Sequence, residues 1–323
     1  MNPARLYIVV PCYNEEPVLE DTAQKLGALM DDMQNSGLIS ADSRVLWVDD
    51  GSRDRTWEII ARLTDEDGRF EGLKLSHNAG HQNALWAGMT ACADEADAVV
   101  TIDADLQDDI QAIREFLREF YGGSDIVYGV RSARRTDTPF KRLTAQFFYR
   151  MMAGFGVETV YNHADYRLIS RRALKELLKY EEVNLFLRGM VPTLGFKTAR
   201  VYYERGERLA GESKYPLRKM LNFAVQGITS FSVKPIRMIA LLGALFALFA
   251  VIVGVYALIS LAAGRAVPGW TSTIASIWLI GGVQLIALGL IGEYIGKIYM
   301  EVKRRPRFIV ETHKKHGLSP KHD

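Results

Sequence analysis

Over the first part of the chain, short apolar runs alternate with longer amphipathic stretches. The runs at 6–10, 45–48, 73–75, 98–102 and 126–128 read as strands. They are apolar at successive positions, which suits a sheet buried on both faces. The stretches at 18–34, 57–63, 83–93 and 110–120 carry apolar residues at helical spacing. Strand–helix alternation predicts an α/β domain with a mostly parallel, Rossmann-like sheet and right-handed crossovers. Ligands of such sheets bind beyond the carboxyl ends of the strands. From 157 to 204 the pattern is less regular, with an apolar stretch at 185–194 and a strand-like one at 197–203.

The pattern then changes character. Residues 238–264 and 266–292 are two apolar runs, and Arg265 is the one charge between Arg237 and Glu293. A bilayer core needs about 20 apolar residues per helix, so each run is long enough to cross one. The stretch 215–231 places Leu217, Met220, Leu221, Phe223, Ala224, Ile228 and Phe231 at roughly helical spacing, with Arg218 and Lys219 among them. That suits a helix lying in the membrane interface, or an ordinary packed amphipathic helix. The chain is thus expected to divide into an α/β domain (1–212), an interfacial amphipathic helix (213–235), two transmembrane helices (236–264 and 266–297) and a tail (298–323). Residues from Lys314 onward are expected to be mobile.

Basic residues set the expected orientation. Arg218, Lys219, Lys234 and Arg237 precede the first span, and Lys297, Lys303, Arg304, Arg305 and Arg307 follow the second. Both termini and the α/β domain are therefore expected on the cytoplasmic side of a multi-pass protein in the cell (inner or plasma) membrane. No signal peptide is read before the first strand. Gly292 and Gly296 form a small-residue pair that suits helix packing and a homo-oligomer. Whole-chain averages conceal this asymmetry: 48% apolar, 24% charged and a formal net charge of +2 over 323 residues resemble a soluble protein. No nucleic acid partner is expected. Cys12 and Cys92 have no metal-ligand spacing and read as buried packing residues.

The predicted strand ends are polar, and chemistry is expected there. The fourth strand runs into Asp103-Ala104-Asp105-Leu106-Gln107. Carboxylates at i and i+2 of an extended segment point the same way. Two converging carboxylates are costly without a cation between them, and Mg²⁺ commonly takes one or two carboxylates plus phosphate oxygens. Gln107 adds a neutral oxygen. Two aspartates at this spacing also occur in simple turns. The second strand runs into Asp49-Asp50-Gly51-Ser52, where a carboxylate could take a hydrogen bond from a base or ribose. Ser52 or Asp54 could equally cap the helix that begins near Thr56. His81 reads as a polar residue near the site.

These segments carry a resemblance. Pro11-Cys12-Tyr13-Asn14-Glu15-Glu16, Val48-Asp49-Asp50-Gly51-Ser52-Arg53-Asp54 and Asp103-Ala104-Asp105-Leu106-Gln107 resemble, in order and spacing, the three signatures of family 2 glycosyltransferases with the GT-A fold. Arg208-Leu209-Ala210-Gly211-Glu212-Ser213-Lys214, the two spans and the Arg305-Pro306-Arg307 tail are similar to the polyprenyl-phosphate glycosyltransferases, especially the bactoprenol branch. The resemblance covers essentially the whole chain. It implies a UDP-sugar donor, a polyprenyl phosphate acceptor and Mg²⁺ or Mn²⁺ as cofactor. It implies that Pro11, Tyr13, Glu15, Val48 and Asp50 line the nucleoside pocket. Asp103, Ala104, Asp105 and Gln107 would hold the donor pyrophosphate, with Asp103, Asp105 and Gln107 as metal ligands. Arg131, Arg208 and Lys214 would contact phosphates, and Asp105, Arg131 and Arg208 would carry catalysis. Arg142, Ser213 and Lys214 would bind the acceptor. Asn162, Asp165 and Arg167 fall in a segment that resembles an acceptor-side motif, without an assigned role; Asp165 could equally pair structurally with Arg167 or Arg171.

Three other readings are weighed. A processive polysaccharide synthase would carry a Gln-x-x-Arg-Trp motif, and no Arg-Trp pair occurs here. A non-enzymatic membrane scaffold has no need of the Asp-x-Asp pair and the Arg208–Lys214 loop. A soluble nucleotidyltransferase has no need of the spans.

Overall fold

A computed structural model describes residues 3–132, 163–183, 185–204, 234–263 and 269–317. They form two compact units. One holds the amino-terminal domain together with the residues from Arg305 onward, and the other holds the two long helices.

The first unit is built on eight strands: β1 (Leu6–Cys12), β2 (Arg44–Asp49), β3 (Phe70–Leu75), β4 (Ala98–Thr101), β5 (Ile126–Arg131), β6 (His163–Ser170), β7 (Thr198–Tyr203) and β8 (Val310–Lys315). Their order across the sheet is β7-β5-β6-β4-β1-β2-β3-β8. β1 pairs in parallel with β2 and β4, β2 with β3, and β5 with β7. β6 runs antiparallel between β4 and β5, and β8 runs antiparallel along β3. β1 is buried along its whole length, so its apolar run serves both faces of the sheet.

Helices α1 (Leu19–Asn35), α2 (Thr56–Glu66), α3 (His81–Cys92) and α4 (Ala112–Tyr121) follow the first four strands, and α5 (Arg171–Leu177) and α6 (Leu187–Thr193) come later. The buried side of α1 is Leu19, Ala23, Leu26, Met30 and Met33, one stripe of a 3.6-residue period. These side chains join Leu6, Ile8 and Val10 of β1 and Phe116 of α4 in one core. α3 covers the opposite face. A Cβ at Gly88 would stand 2.4 Å from Val9 Cγ1 and 2.8 Å from Val48 Cγ2, so the glycine lets this helix lie close on β1 and β2.

Two elements depart from the sequence reading. The tail expected over 298–323 does not stand apart: Val310–Lys315 closes the sheet edge beside β3. It reads as polar because it is an edge strand, where lysines such as Lys314 and Lys315 are tolerated. β6 was hidden because Asp165 and Arg167 interrupt its apolar pattern, and the sheet buries Arg167 in contact with the largely covered Asp165 side chain.

The second unit contains α7 (Lys234–Ala262) and α8 (Trp270–Lys303). Both are long and apolar enough to cross a membrane, with segments Lys234–Val253 and Leu279–Lys303 at mean hydropathy 2.6 and 1.6 and none of either segment buried. α8 runs past the expected end at 297 and closes on Arg304 in a left-handed conformation, φ 47°. The expected interfacial stretch 215–231 lies outside the described residues.

Candidate active site

β1, β2 and β4 end side by side, and the segments leaving them meet. In the first, Asn14 adopts φ 55°, a conformation asparagine tolerates better than most residues. Its amide donates to Ser52 Oγ at 3.0 Å, and its Oδ1 accepts the amide of Arg53 at 2.9 Å. The Glu15 amide donates to Thr56 Oγ1 at 2.9 Å. The loops after β1 and β2 are thus tied to each other. Gly51 (φ 66°) is required where it stands, because a Cβ there would lie 2.5 Å from the backbone of His77. Asp54 Oδ1 accepts the Thr56 amide at 3.0 Å in the turn that leads into α2, but the N-cap position itself is Arg55, with no side-chain bond, so neither Asp54 nor Ser52 is the cap that one sequence reading expected.

Between these loops opens a cleft of about 340 Å³, within the usual range for a small-molecule site. Pro11, Tyr13, Glu15, Asp50, Asp103, Ala104 and Asp105 line it, and Asn78 and His81 complete its polar wall. Seven residues named from sequence are therefore brought together. Tyr13 stands on the rim, 40% exposed.

Asp50 does more than face the cleft. Its oxygens accept the amides of Ala79 at 2.7 Å and Gly80 at 3.0 Å, which fixes the turn before α3. Burial raises its carboxyl, and these two amides oppose the rise. The Glu15 carboxyl is raised by burial and then by Asp105 and Asp103. Asp103 is raised by withdrawal from water and by the like charges of Asp165, Asp108 and Asp105, while His81 opposes them. The cleft is thus rich in carboxylates that repel one another.

The segment 103–107 is not extended. β4 ends at Thr101, and Leu106 has φ 43°, so the chain turns there. The two aspartates still share the cleft, but Gln107 is buried and its Nε2 donates to Asp105 Oδ2 at 2.7 Å. Gln107 therefore orients a carboxylate and is not part of the lining. Val48, expected in the nucleoside pocket, is fully buried under α3 and is not among the residues that line this cleft. Arg131 is engaged elsewhere. Its Nε and Nη2 donate to the buried Asp108 at 3.0 and 3.1 Å, and Asp108 also accepts the Tyr203 hydroxyl at 2.8 Å. Arg142, Arg208, Ser213 and Lys214 lie outside the described residues, as does Asn162.

One cluster went unassigned in the sequence. Asp165 accepts from Arg167 and, at 3.1 Å, from Arg188 Nη2. Arg188 was missed altogether, because a lone arginine in the apolar stretch 185–194 gave no motif.

Residues 7–178 match the glycosyl transferase family 2, and residues 234–298 match the GtrB C-terminal hairpin. The chain belongs to glycosyl transferase family 2. This family 2 glycosyltransferase is 52% identical to the Bacillus subtilis glycosyltransferase YkoT, over 95% of this chain and 91% of that one. It is 36% identical to the prophage bactoprenol glucosyl transferase homolog of Escherichia coli, over 96% and 100% of the two chains. To the bactoprenol glucosyl transferase of Shigella phage SfII it is 37% identical, over 98% and 100%. The family 2 assignment and the sheet agree on a Rossmann-like GT-A domain, with two apolar helices following it.

Proposed function

We propose that this glycosyltransferase transfers a hexose, glucose or N-acetylglucosamine, from a UDP-sugar to a polyprenyl phosphate such as undecaprenyl phosphate. The observation that carries the reading is a carboxylate-lined cleft at the ends of β1, β2 and β4, in a chain that matches bactoprenol glucosyl transferases from end to end.

Asp103 and Asp105 fit a divalent cation, Mg²⁺ or Mn²⁺. Both border the cleft, where withdrawal from water and then the like charges of Asp165, Asp108 and Asp105 raise the Asp103 carboxyl against the opposing His81, so a cation there would relieve the repulsion. Among the described residues no set of three or more His, Cys, Asp and Glu side chains could hold the ion alone. Two carboxylates plus oxygens of a nucleoside diphosphate match the preference of Mg²⁺. Gln107 fixes the rotamer of Asp105, as an outer partner of a metal ligand commonly does. When bound, the cation supplies charge neutralisation at the diphosphate.

The acceptor needs little activation. A phosphate monoester has a second pKa of about 6, so near neutral pH it is already an anionic nucleophile. Its oxygen attacks the anomeric carbon from the side opposite the departing UDP, the bond to UDP breaks, and the configuration inverts. The chain's task is to hold both phosphates while excluding water. Pro11, Tyr13, Glu15 and Asp50 line the cleft, and the family resemblance implies that they meet the nucleoside. The family resemblance implies that Arg208 and Lys214 meet phosphates and that Arg142, Ser213 and Lys214 meet the acceptor.

A polyprenyl tail stays in the bilayer while a nucleotide sugar is cytosolic. The catalytic domain therefore works against the cytoplasmic leaflet, anchored by α7 and α8, with both termini on that side. The test is transfer of label from radiolabelled nucleotide sugars to undecaprenyl phosphate by the membrane-embedded protein. A UDP-hexose giving an organic-soluble, acid-labile product supports the reading. Transfer into a growing polymer, or none to any lipid phosphate, rejects it.

A further inference from the structure

His81, the first residue of α3, has no task so far. Its ring borders the cleft with the side chain 45% exposed, and among the described residues it is the one basic side chain in that lining. Nε2 stands 3.6 Å from an oxygen of Asp103 and 4.0 Å from one of Asp165. Neither distance is a hydrogen bond. The ring lies between two carboxylates with its N–H still to spend.

The structure behind His81 is tightly fixed. The Asp165 side chain is 10% exposed, and Arg167, 2% exposed, donates to it together with Arg188. Burial raises the Asp165 carboxyl, but Arg188 and Arg167 more than offset this and hold it well below the usual carboxylate range. Arg167 Nη1 also donates to the Leu187 carbonyl at 3.3 Å, and the Leu187 amide donates to Gln82 Oε1 at 3.0 Å. The start of α3 is therefore joined to α6 on one side and, through Ala79 and Gly80, to Asp50 on the other. The Thr101 hydroxyl donates to the Asp165 carbonyl at 2.5 Å and holds this point of β6 against β4.

Buried charge clusters are poor stabilisers compared with apolar packing of the same volume. This one ends on the cleft, facing a ring that could contact a ligand. Nε2 is the ring nitrogen beside both carboxylates, and an imidazole nitrogen can carry an N–H donor there. In a cleft lined by Glu15, Asp50, Asp103 and Asp105, such a donor suits an anion that cannot rely on those side chains.

We propose that His81 donates its Nε2–H to a phosphate oxygen of the substrate, and that Asp165, clamped by Arg167 and Arg188, is the positioning residue whose charge, 4.0 Å from Nε2, orients the ring. The inference rests on the proposed function, which supplies two such phosphates: the diphosphate of the nucleotide sugar and the monoester of the lipid. The chemistry is the same at both, and the kinetic arms below separate them.

The test compares full-length wild type, His81→Ala, His81→Gln, Asp165→Asn and the His81→Ala/Asp165→Asn double variant. His81→Ala should lower kcat/KM on the order of 10²-fold, the cost of one preorganised donor, with His81→Gln recovering part of the loss. The melting midpoint of His81→Ala should not move, since the side chain is half exposed. A loss carried by the KM of the sugar nucleotide places the contact on the diphosphate. One carried by the KM of the lipid places it on the monoester. Asp165→Asn should cost about as much, and the double variant no more than either single change, because both break one interaction. If Asp165→Asn does not accumulate as folded protein, Arg188→Gln replaces it in the cycle. Calorimetric binding of UDP in Mg²⁺ to wild type and His81→Ala needs no turnover. Weaker UDP binding by the variant therefore supports the diphosphate contact even if wild type transfers sugar to no lipid. His81→Ala within threefold of wild type in turnover and UDP affinity overturns the contact, and additive losses in the double variant overturn the positioning role.

Discussion

Arg307 lies over the ring of Trp86, 4.5 Å from its centre, and donates from Nη2 to the Tyr180 carbonyl at 2.6 Å. In sequence it stands between the second apolar helix and β8. The residues that follow the hairpin thus return to complete the catalytic domain. Beyond it, Lys315 pairs with Glu95 at 2.5 Å and Lys314 with Asp65 at 2.6 Å. Arg307→Ala removes a partly desolvated cation–π contact and a charged hydrogen bond, together about 1–3 kcal/mol. The melting midpoint of the catalytic domain should fall by roughly 5 °C. Truncation after Arg304 should cost more, because it uncovers the whole edge of β3. Unchanged melting in the truncated chain would show that β8 is dispensable.

Gly88→Ala tests the close approach of α3 to the sheet. The added methyl meets Val9 and Val48, both fully buried and unable to yield. Overpacking of this kind costs about 1–3 kcal/mol, outweighing the gain in helix propensity of up to about 1 kcal/mol. Urea unfolding should show a lower midpoint at unchanged slope. A more stable variant would mean that α3 sits farther from β1 than described.

Asp108 is the third test. Its side chain is 2% exposed and receives Arg131 and Tyr203. Asp108→Ala leaves the Arg131 guanidinium without its carboxylate, a change that costs about 3–5 kcal/mol when a buried pair is broken. Tyr203→Phe, which removes one bond to the same carboxylate, should cost about half as much. Chemical denaturation of both variants measures the two costs. A loss below about 1 kcal/mol for Asp108→Ala would indicate that the pair is incidental and leave Arg131 available for phosphate.

The sequence foretold the parallel core well, because strands buried on both faces are apolar throughout. β1 through β5 and α1 through α4 stand where the pattern put them, within a few residues. Elements stabilised by paired charge or by an edge position escaped that logic. Asp165 and Arg167 make β6 look like a loop until Arg188 arrives from a distant segment. β8 looks like a polar tail until β3 is beside it. At the cleft, motif residues came together, but their division of labour was not legible. Asp50 spends its oxygens on backbone amides, Gln107 serves Asp105, and Val48 packs under α3. Such roles depend on what each side chain meets in three dimensions.

The central claim is that Asp103 and Asp105 make this cleft a sugar-transfer site for a lipid phosphate. The most direct measurement is transfer of label from UDP-[¹⁴C]glucose and UDP-N-[¹⁴C]acetylglucosamine to undecaprenyl phosphate by wild type and Asp105→Ala, with and without Mg²⁺ or Mn²⁺. The account predicts metal-dependent formation of a labelled lipid by wild type with one of these donors. It predicts no turnover by Asp105→Ala in a chain that still folds, with the melting temperature lowered only by the lost Gln107 bond, since Asp105 sits on the rim and not in the core. Transfer by Asp105→Ala at the wild-type rate, or by wild type in excess chelator, would contradict it.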